Sequence, residues 1–468
     1  MFQHKVPIEE RTVGTLHLNE DKAQDGYTLF SKGFDTFLIN NDGKVVHEWS
    51  SKSRKVFVAH LLKNGNLLRD GNESLNAPLL QTGGAAGYIE EVTWDNELVW
   101  RFNFRPFEVF LSHHNFEPLP NGNVLVLCWE RKSKEEAIAV GRRPEYIPDN
   151  EVWNDIVVEL EPDKVNKTAK IVWRWSAWDH LVQNFDPRKP EFVEDIAHHP
   201  DKLDINQCVV GGKNANRNRL LLTLKDVKEG EFKVTKAGRT GEKDWLHINN
   251  VSYDPGLDQV MLSVNSFSEV IIISRKSGRI VYRRGNPAAQ QRGTQDDRSL
   301  FCQHSAKFYT DNQGNRSFIV YNNGRLPDRA WTSVDIIRLP KFNETLGLYD
   351  DAWQANAEPP TWSYGYTPGR PMSWFDTHIG HCQVLENGNI LILQGTTGTL
   401  VEVTKEKTEA WRYYFPVYTN HESGVAFVRQ KYHRPFRADF RFFMAAKYPP
   451  SFSGLKGKKL CGYRYLEA

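Results

Sequence analysis

Val384-Leu-Glu-Asn-Gly-Asn-Ile-Leu-Ile-Leu393 is an apolar run, a tight turn and a second apolar run. Asn-Gly tolerates the positive φ that a tight hairpin demands, so the stretch reads as strand, turn, strand. The same phrase stands at Leu61-Leu-Lys-Asn-Gly-Asn-Leu-Leu68 and Pro118-Leu-Pro-Asn-Gly-Asn-Val-Leu-Val-Leu127. Looser copies are Val251-Ser-Tyr-Asp-Pro-Gly-Leu-Asp-Gln-Val-Met-Leu262 and Lys307-Phe-Tyr-Thr-Asp-Asn-Gln-Gly-Asn-Arg-Ser-Phe-Ile-Val320.

A second phrase follows most of them: a small turn, two or three β-branched or apolar residues, then an aromatic. It reads Gly43-Lys-Val-Val-His-Glu-Trp49, Asn96-Glu-Leu-Val-Trp-Arg-Phe102, Ala169-Lys-Ile-Val-Trp-Arg-Trp175, Gly278-Arg-Ile-Val-Tyr-Arg-Arg284 and Thr408-Glu-Ala-Trp-Arg-Tyr-Tyr414, with a weaker copy at Pro359-Pro-Thr-Trp-Ser-Tyr364. Each unit therefore holds about four short strands with local turns and no helical period, which excludes alternating helix–strand folds. A small sheet cannot cover its own faces, and stacking such sheets radially buries them, so six copies predict an all-β, six-bladed β-propeller.

The blades are expected at 26–50, 56–102, 114–175, 245–284, 304–365 and 381–414. A C-terminal strand at 424–430 is expected to complete blade one and close the ring, removing two sheet edges. The charged, Asn- and Asp-rich stretch 176–243 reads as a long insertion between blades three and four, forming a lid or rim, and 431–468 as a tail along the surface.

Composition narrows the function classes. The 468 residues carry 60 basic and 58 acidic side chains, a net charge of +2. No wide field exists for nucleic acid or an anionic membrane, and no apolar run approaches the roughly 20 residues of a membrane span. A small-molecule substrate is the expected partner; oligomeric state is not encoded in these patterns. The five cysteines are an odd count without C-x-x-C spacing, which argues against a disulfide framework or a zinc knuckle. The first ten residues lack an apolar h-region, which favours a cytoplasmic location. A chain trimmed of a signal would read the same and belong to the periplasm or the exterior. Nucleotide-binding, serine-hydrolase, zincin and EF-hand motifs are absent.

Histidines carry the chemical signal. His114, His247 and His304 each lie seven residues before the turn residues Asn121, Asp254 and Asp311. In a propeller the first strand of each blade lines the central channel, so these three imidazoles are expected to meet. His381 and His60 stand six and four residues before Asn387 and Asn64, off that register. The adjacent His113 reads as a loop or rim residue. Imidazoles serve as nucleophiles, general acids and bases, or metal ligands. Asn249, on the His247 strand face, is placed to donate to an oxyanion, and Arg325 offers a planar donor fork to a sulfate, phosphate or carboxylate.

These phrases resemble the arylsulfotransferases, six-bladed propellers of bacterial origin. The matching pieces include Gly26-Tyr-Thr-Leu-Phe30, the run from Phe37 to Trp49, Trp175-Ser-Ala-Trp-Asp-His-Leu181, Asp244-Trp-Leu-His-Ile-Asn249, Gly285-Asn-Pro287, Gln303-His304, Leu385-Glu-Asn-Gly-Asn389 and Tyr448-Pro-Pro450. The resemblance implies a ping-pong transfer in which a histidine takes the sulfo group from a phenolic sulfate ester and passes it to an acceptor, with no cofactor required. His304 matches the nucleophile, His114 and His247 the assisting histidines, and Asn249 the H-x-N asparagine. The chain departs from the resemblance at Asn265, where arylsulfotransferases carry an arginine that clamps the sulfo oxygens. With that charge gone, and with His60 and His381 as substrate-binding candidates, the alternative is a histidine-based or metal-dependent lyase or hydrolase holding a divalent metal among His60, His114, His247, His304 and His381. A non-catalytic binding propeller is the third reading.

Overall fold

The computed structural model describes residues 8, 11–52, 54–72, 83–104, 110–207, 243–326, 328–353, 358–365, 373–419, 426–428 and 441–466, those at 417–428 by backbone alone. Strands dominate; among the described residues the one α-helix is the six-residue Lys134–Ala139, capped at Ser133. Six antiparallel sheets of four or five strands make the fold a six-bladed β-propeller. No helix among the described residues is long and apolar enough to cross a membrane, and none of the four described cysteines forms a disulfide.

The blades fall in two compact units. One comprises 1–104, 162–170 and 378–468; the other comprises 105–161 and 171–377. The first holds blades one, two and six. Blade two runs Ala59–Leu61, Leu67–Asn72, Gly87–Val92, Leu98–Asn103. Blade six runs His381–Val384, Ile390–Gln394, Thr399–Val403, Glu409–Tyr414, and an N-terminal strand, Gly14–Leu18, pairs along its last member. Blade one runs Tyr27–Lys32, Asp35–Asn40, Lys44–Ser50 and is extended on both sides by C-terminal strands.

The strand that completes blade one is not the expected one. Ala445–Tyr448 pairs with Tyr27–Lys32, while the described part of 424–430, Ala426–Val428, pairs with Val417–Thr419. The physical reason is Lys447. Its charge makes the segment read as surface tail, yet its ammonium is fully buried 2.8 Å from Glu402 of blade six. Gln383 clasps the same residue from both sides, accepting from Lys447 N at 2.8 Å and donating to Lys447 O at 3.0 Å.

The second unit holds blade three apart from its residues within 162–170 (Phe110–Pro118, Val124–Ser133, Glu151–Asp163, Thr168–Ser176), blade four (Ile248–Asp254, Gln259–Val264, Glu269–Ser274, Ile280–Arg284) and blade five (His304–Thr310, Arg316–Asn322, Ser333–Arg338, Trp362–Tyr364). Their first strands are laced together: Asn115 Nδ2 donates to Asn250 Oδ1 at 2.6 Å, and Asn250 Nδ2 to Ala306 O at 2.7 Å. Within 176–207 a few apolar side chains are buried, while 184–195 and 197–202 are exposed or half-buried. Leu181, Leu203 and Ile205 are buried in one cluster with Leu246 and with Ile248 and Ile273 of blade four. The rest of that expected insertion, 208–242, lies outside the described residues, as does 431–440 of the tail.

The turn phrase has a physical basis that recurs in blades two, three and six. Gly65, Gly122 and Gly388 adopt φ of 84°, 88° and 84°, which a Cβ disfavours. The asparagine before each glycine accepts from the backbone N–H two residues on, at 3.0 Å. The asparagine after it donates Nδ2 to a carboxylate on the third strand: Asn66 to Glu91, Asn123 to Glu159, Asn389 to Glu402, at 2.6, 2.6 and 2.7 Å. The aromatic that ends the second phrase ties one blade to the next. Trp49 Nε1 donates to Thr93 O, Trp175 to Gly278 O and Trp411 to Asn41 O, at 3.2, 2.9 and 2.8 Å. Each large ring is thus buried with its one N–H satisfied.

Candidate functional site

The first strands of blades three, four and five share one distortion. Their pairing with the second strands slips between Val126 and Cys128, between Ile248 and Asn250, and between His304 and Lys307. At these slips His114, His247 and Ser305 take φ of 52°, 48° and 53°. A left-handed non-glycine residue costs on the order of 1–3 kcal/mol and persists only where its surroundings hold it. A bulge re-aims a side chain that a regular strand would point elsewhere. The repeat register therefore marks a repeated bulge, with a histidine at or beside it each time.

What holds the rings is local. His247 Nδ1 lies 2.6 Å from Asp244 Oδ2, and the other carboxylate oxygen accepts from Trp129 Nε1 at 3.1 Å. The His247 ring meets the His114 ring edge-on, centroids 4.3 Å apart. His114 Nδ1 lies 2.8 Å from His113 Nδ1. His113 stacks on Trp129 at 4.0 Å, and its Nε2 is 3.2 Å from Asp155 Oδ1. His113 is thus no rim residue but 1 % exposed. Asp155 Oδ1 also accepts the backbone N–H of Ile248, the residue after His247, at 3.2 Å. Burial, then the Asp155 charge, pushes the Cys128 thiol well up, so Cys128 is a neutral packing group here.

His304 is anchored separately. Its Nδ1 lies 2.7 Å from Asn323 Oδ1, at the end of the neighbouring strand. Asn323 O accepts from Thr332 Oγ1 at 2.6 Å. Arg329 braces the same turn, donating to Asn322 O and Trp331 O at 2.9 and 3.0 Å; burial lowers its pKa to about 10, opposed by Asp335. The backbone before His304 is held by two asparagines. Asn249 Nδ2 donates to Gln303 O at 2.8 Å, and Asn265 Nδ2 to Cys302 O at 2.8 Å and Gln303 O at 3.2 Å. Asn249 is fully buried and turned to this carbonyl, so its donor supports the chain ahead of His304.

The structure thus brings His114 and His247 into ring contact and links His247 to His304 through Asn249, Asn265 and Gln303. His60 and His381 belong to the other unit, each on the first strand of its blade. Arg325 is half-buried in the loop after Asn323, its backbone paired with that of Arg329. Arg69, also in the other unit, is engaged by Glu90 at 2.8 Å. Among the described residues no group of three or more His, Cys, Asp or Glu side chains is placed to hold a metal ion.

Register alone did not single out Asp244, Asp155, His113 or Asn323. Asp244 had a usable signal, three residues before His247 in the quoted Asp-Trp-Leu-His-Ile-Asn run. Asp155 and Asn323 had none, because His113 lies 42 positions from Asp155 and two strands over, and His304 lies 19 positions from Asn323.

A model of the arylsulfotransferase (ASST) family matches residues 102–424. No curated protein matches the chain. Among solved structures, a protein of unknown function from Bacteroides caccae is 10 % identical over 84 % of this chain and 94 % of its own, with a TM-score of 0.41. A catalytically inactive virginiamycin B lyase from Staphylococcus aureus is 8 % identical over 86 % and 88 %, TM-score 0.36. The Cps50 β-propeller domain from Myceliophteria thermophila is 9 % identical over 88 % and 98 %, TM-score 0.41.

Proposed function

Because this chain belongs to the arylsulfotransferase family, we propose that it moves a sulfo group from a phenolic sulfate ester to an acceptor by way of His304. The observation that carries this is the His304–Asn323 contact of 2.7 Å. An amide oxygen has no proton to give, so Nδ1 donates and Nε2 keeps its lone pair. That is the form of imidazole that attacks sulfur. The new N–S bond forms as the S–O bond to the aryl oxygen breaks. The leaving phenolate takes a proton from a neighbouring imidazolium. In the second half the acceptor oxygen attacks sulfur, the N–S bond breaks, and the acceptor proton returns to that imidazole.

His247 and His114 are assigned the acid–base work. Asp244 fixes His247 with Nδ1 protonated and stabilises the ring when it becomes cationic. Asn265 is committed to two backbone carbonyls, so the charge that balances the sulfo oxygens falls in this reading to the cationic form of His247. Turnover of 4-nitrophenyl sulfate with phenol tests the proposal. Nitrophenolate release that depends on acceptor and is abolished in a folded His304→Ala variant supports it; release that survives His304→Ala, or none across varied donors and acceptors, contradicts it.

A further inference from the structure

The His113–Asp155 pair is a second carboxylate–imidazole couple that the proposed transfer does not yet use. His113 and Asp155 are buried to 1 % and 0 % exposure, and Trp129 clamps the His113 ring at an interplanar angle of 9°. The His113 ring cannot turn away without leaving that stack. Its Nε2 lies 3.2 Å from Asp155 Oδ1, a charge contact outside hydrogen-bond geometry, and its Nδ1 lies 2.8 Å from His114 Nδ1. We propose that Asp155 and His113 form a relay that decides which nitrogen of His114 carries its proton and takes up the charge when His114 acts as a base.

A carboxylate repels a nitrogen lone pair at this distance, so the neutral His113 holds its proton on Nε2. Its Nδ1 then has only a lone pair to present. Only one of two facing nitrogens can carry the shared proton, so His114 donates through Nδ1. The His114 lone pair is left on Nε2, the form a base requires. When Nε2 takes the proton of an acceptor hydroxyl, the O–H bond breaks and the new N–H bond forms. The Nδ1–H bond of His114 breaks as an N–H bond forms on His113 Nδ1. The positive charge ends on His113, beside the Asp155 carboxylate. Reversal returns a proton through His114 Nε2 to a leaving phenolate. His113 and Asp155 touch no reacting atom and are positioning residues.

The acid–base use rests on the proposed sulfo transfer; the proton placement does not, and the two are tested apart. Nitrogen-15 spectra of histidine-labelled protein, at a pH where the rings are neutral, read the tautomers directly. His114 is expected with its proton on Nδ1 and His113 with its proton on Nε2. A His114 proton on Nε2 overturns the relay whether or not the chain transfers sulfo groups. The second arm is turnover of 4-nitrophenyl sulfate. Asp155→Ala removes the fixing charge and lowers kcat/KM by about 10²-fold, within the usual reach of general acid–base catalysis. Asp155→Asn keeps an oxygen to accept Ile248 N but not the charge beside His113, so it is expected to lose nearly as much as Asp155→Ala. His113→Phe keeps the stack on Trp129 but not the relay, and loses as much as Asp155→Ala. Near-normal turnover in Asp155→Asn, or full activity in folded His113→Phe, overturns the proposal.

Discussion

His247 Nδ1 and Asp244 Oδ2 stand 2.6 Å apart while the second oxygen of the same carboxylate holds Trp129 Nε1 at 3.1 Å. Two donors thus take the two oxygens of one buried side chain. An amide offers one oxygen and one donor, so it satisfies Trp129 or His247 but not both. Asp244→Asn is expected to cost nearly as much as Asp244→Ala, about 10²-fold or more in kcat/KM, because either change frees or reverses the His247 tautomer. Steady-state kinetics with 4-nitrophenyl sulfate check this, and near-normal rates in Asp244→Asn would show that the carboxylate is structural only.

Asn265 occupies the place where a sulfo-clamping arginine was expected, and its amide closes off the carbonyls of Cys302 and Gln303. Asn265→Arg removes those bonds and forces a longer charged side chain into a site 8 % exposed. The expected result is a stability loss of roughly 1–3 kcal/mol, the range for buried polar groups left unpaired, with no gain in turnover. Urea denaturation and the same kinetic assay measure both; a rise in kcat/KM would show that the site is an ordinary arginine clamp lacking its charge.

The buried Lys447–Glu402 pair locks the closing strand. Burial lowers the Lys447 pKa, and Glu402 opposes that shift. Lys447→Ala leaves Glu402 buried without its cation, and loss of one partner of such a pair costs about 3–5 kcal/mol. Adding Glu402→Gln, whose carbonyl oxygen still takes the Asn389 and Gln24 donors, is expected to return much of that loss. Denaturation midpoints of the single and double variants decide; a double variant no better than Lys447→Ala would show that the charge pairing is not what closes the blade.

Asp70 is buried, and despite accepting from Phe57 N and Val58 N its pKa is pushed up to about 7 by burial. The folded state therefore holds a proton that the unfolded chain releases near the ordinary carboxylate range. The stability this confers is present at acidic pH and is lost as pH rises toward about 7. Asp70→Asn keeps the acceptor oxygen without the titration. Its stability relative to the parent is expected to be small at pH near 5 and clearly favourable at pH near 8. Urea titrations at the two pH values test the sign, and an advantage that shrinks as pH rises would contradict it.

Much of the fold was legible because the turn chemistry is local. Asn-Gly-Asn states its positive φ, its capping oxygen and its donor within three residues, and the tryptophan phrase marks the strand that reaches the next blade. The closing strand was misread because hydrophobicity favours Ala426–Val428 over a segment carrying Lys447, and the carboxylate that neutralises Lys447 is 45 positions away. The histidine spacing of blades three to five could be read from the sequence, and a strand slip with a left-handed residue lies at or beside each of those histidines. The proton-setting partners were not, because Asp155, Asn323 and the stack of His113 on Trp129 exist only once strands pair.

The most direct test is a trapped intermediate. Protein mixed with 4-nitrophenyl sulfate in the absence of acceptor, quenched in alkali to spare an N-sulfo bond, is digested and weighed by mass spectrometry. One sulfo group per chain, carried by the peptide that contains His304 and missing from His304→Ala, is the expected result. A sulfo group on another residue, or rapid nitrophenolate release with no labelled peptide, would contradict a histidine-borne transfer at this site.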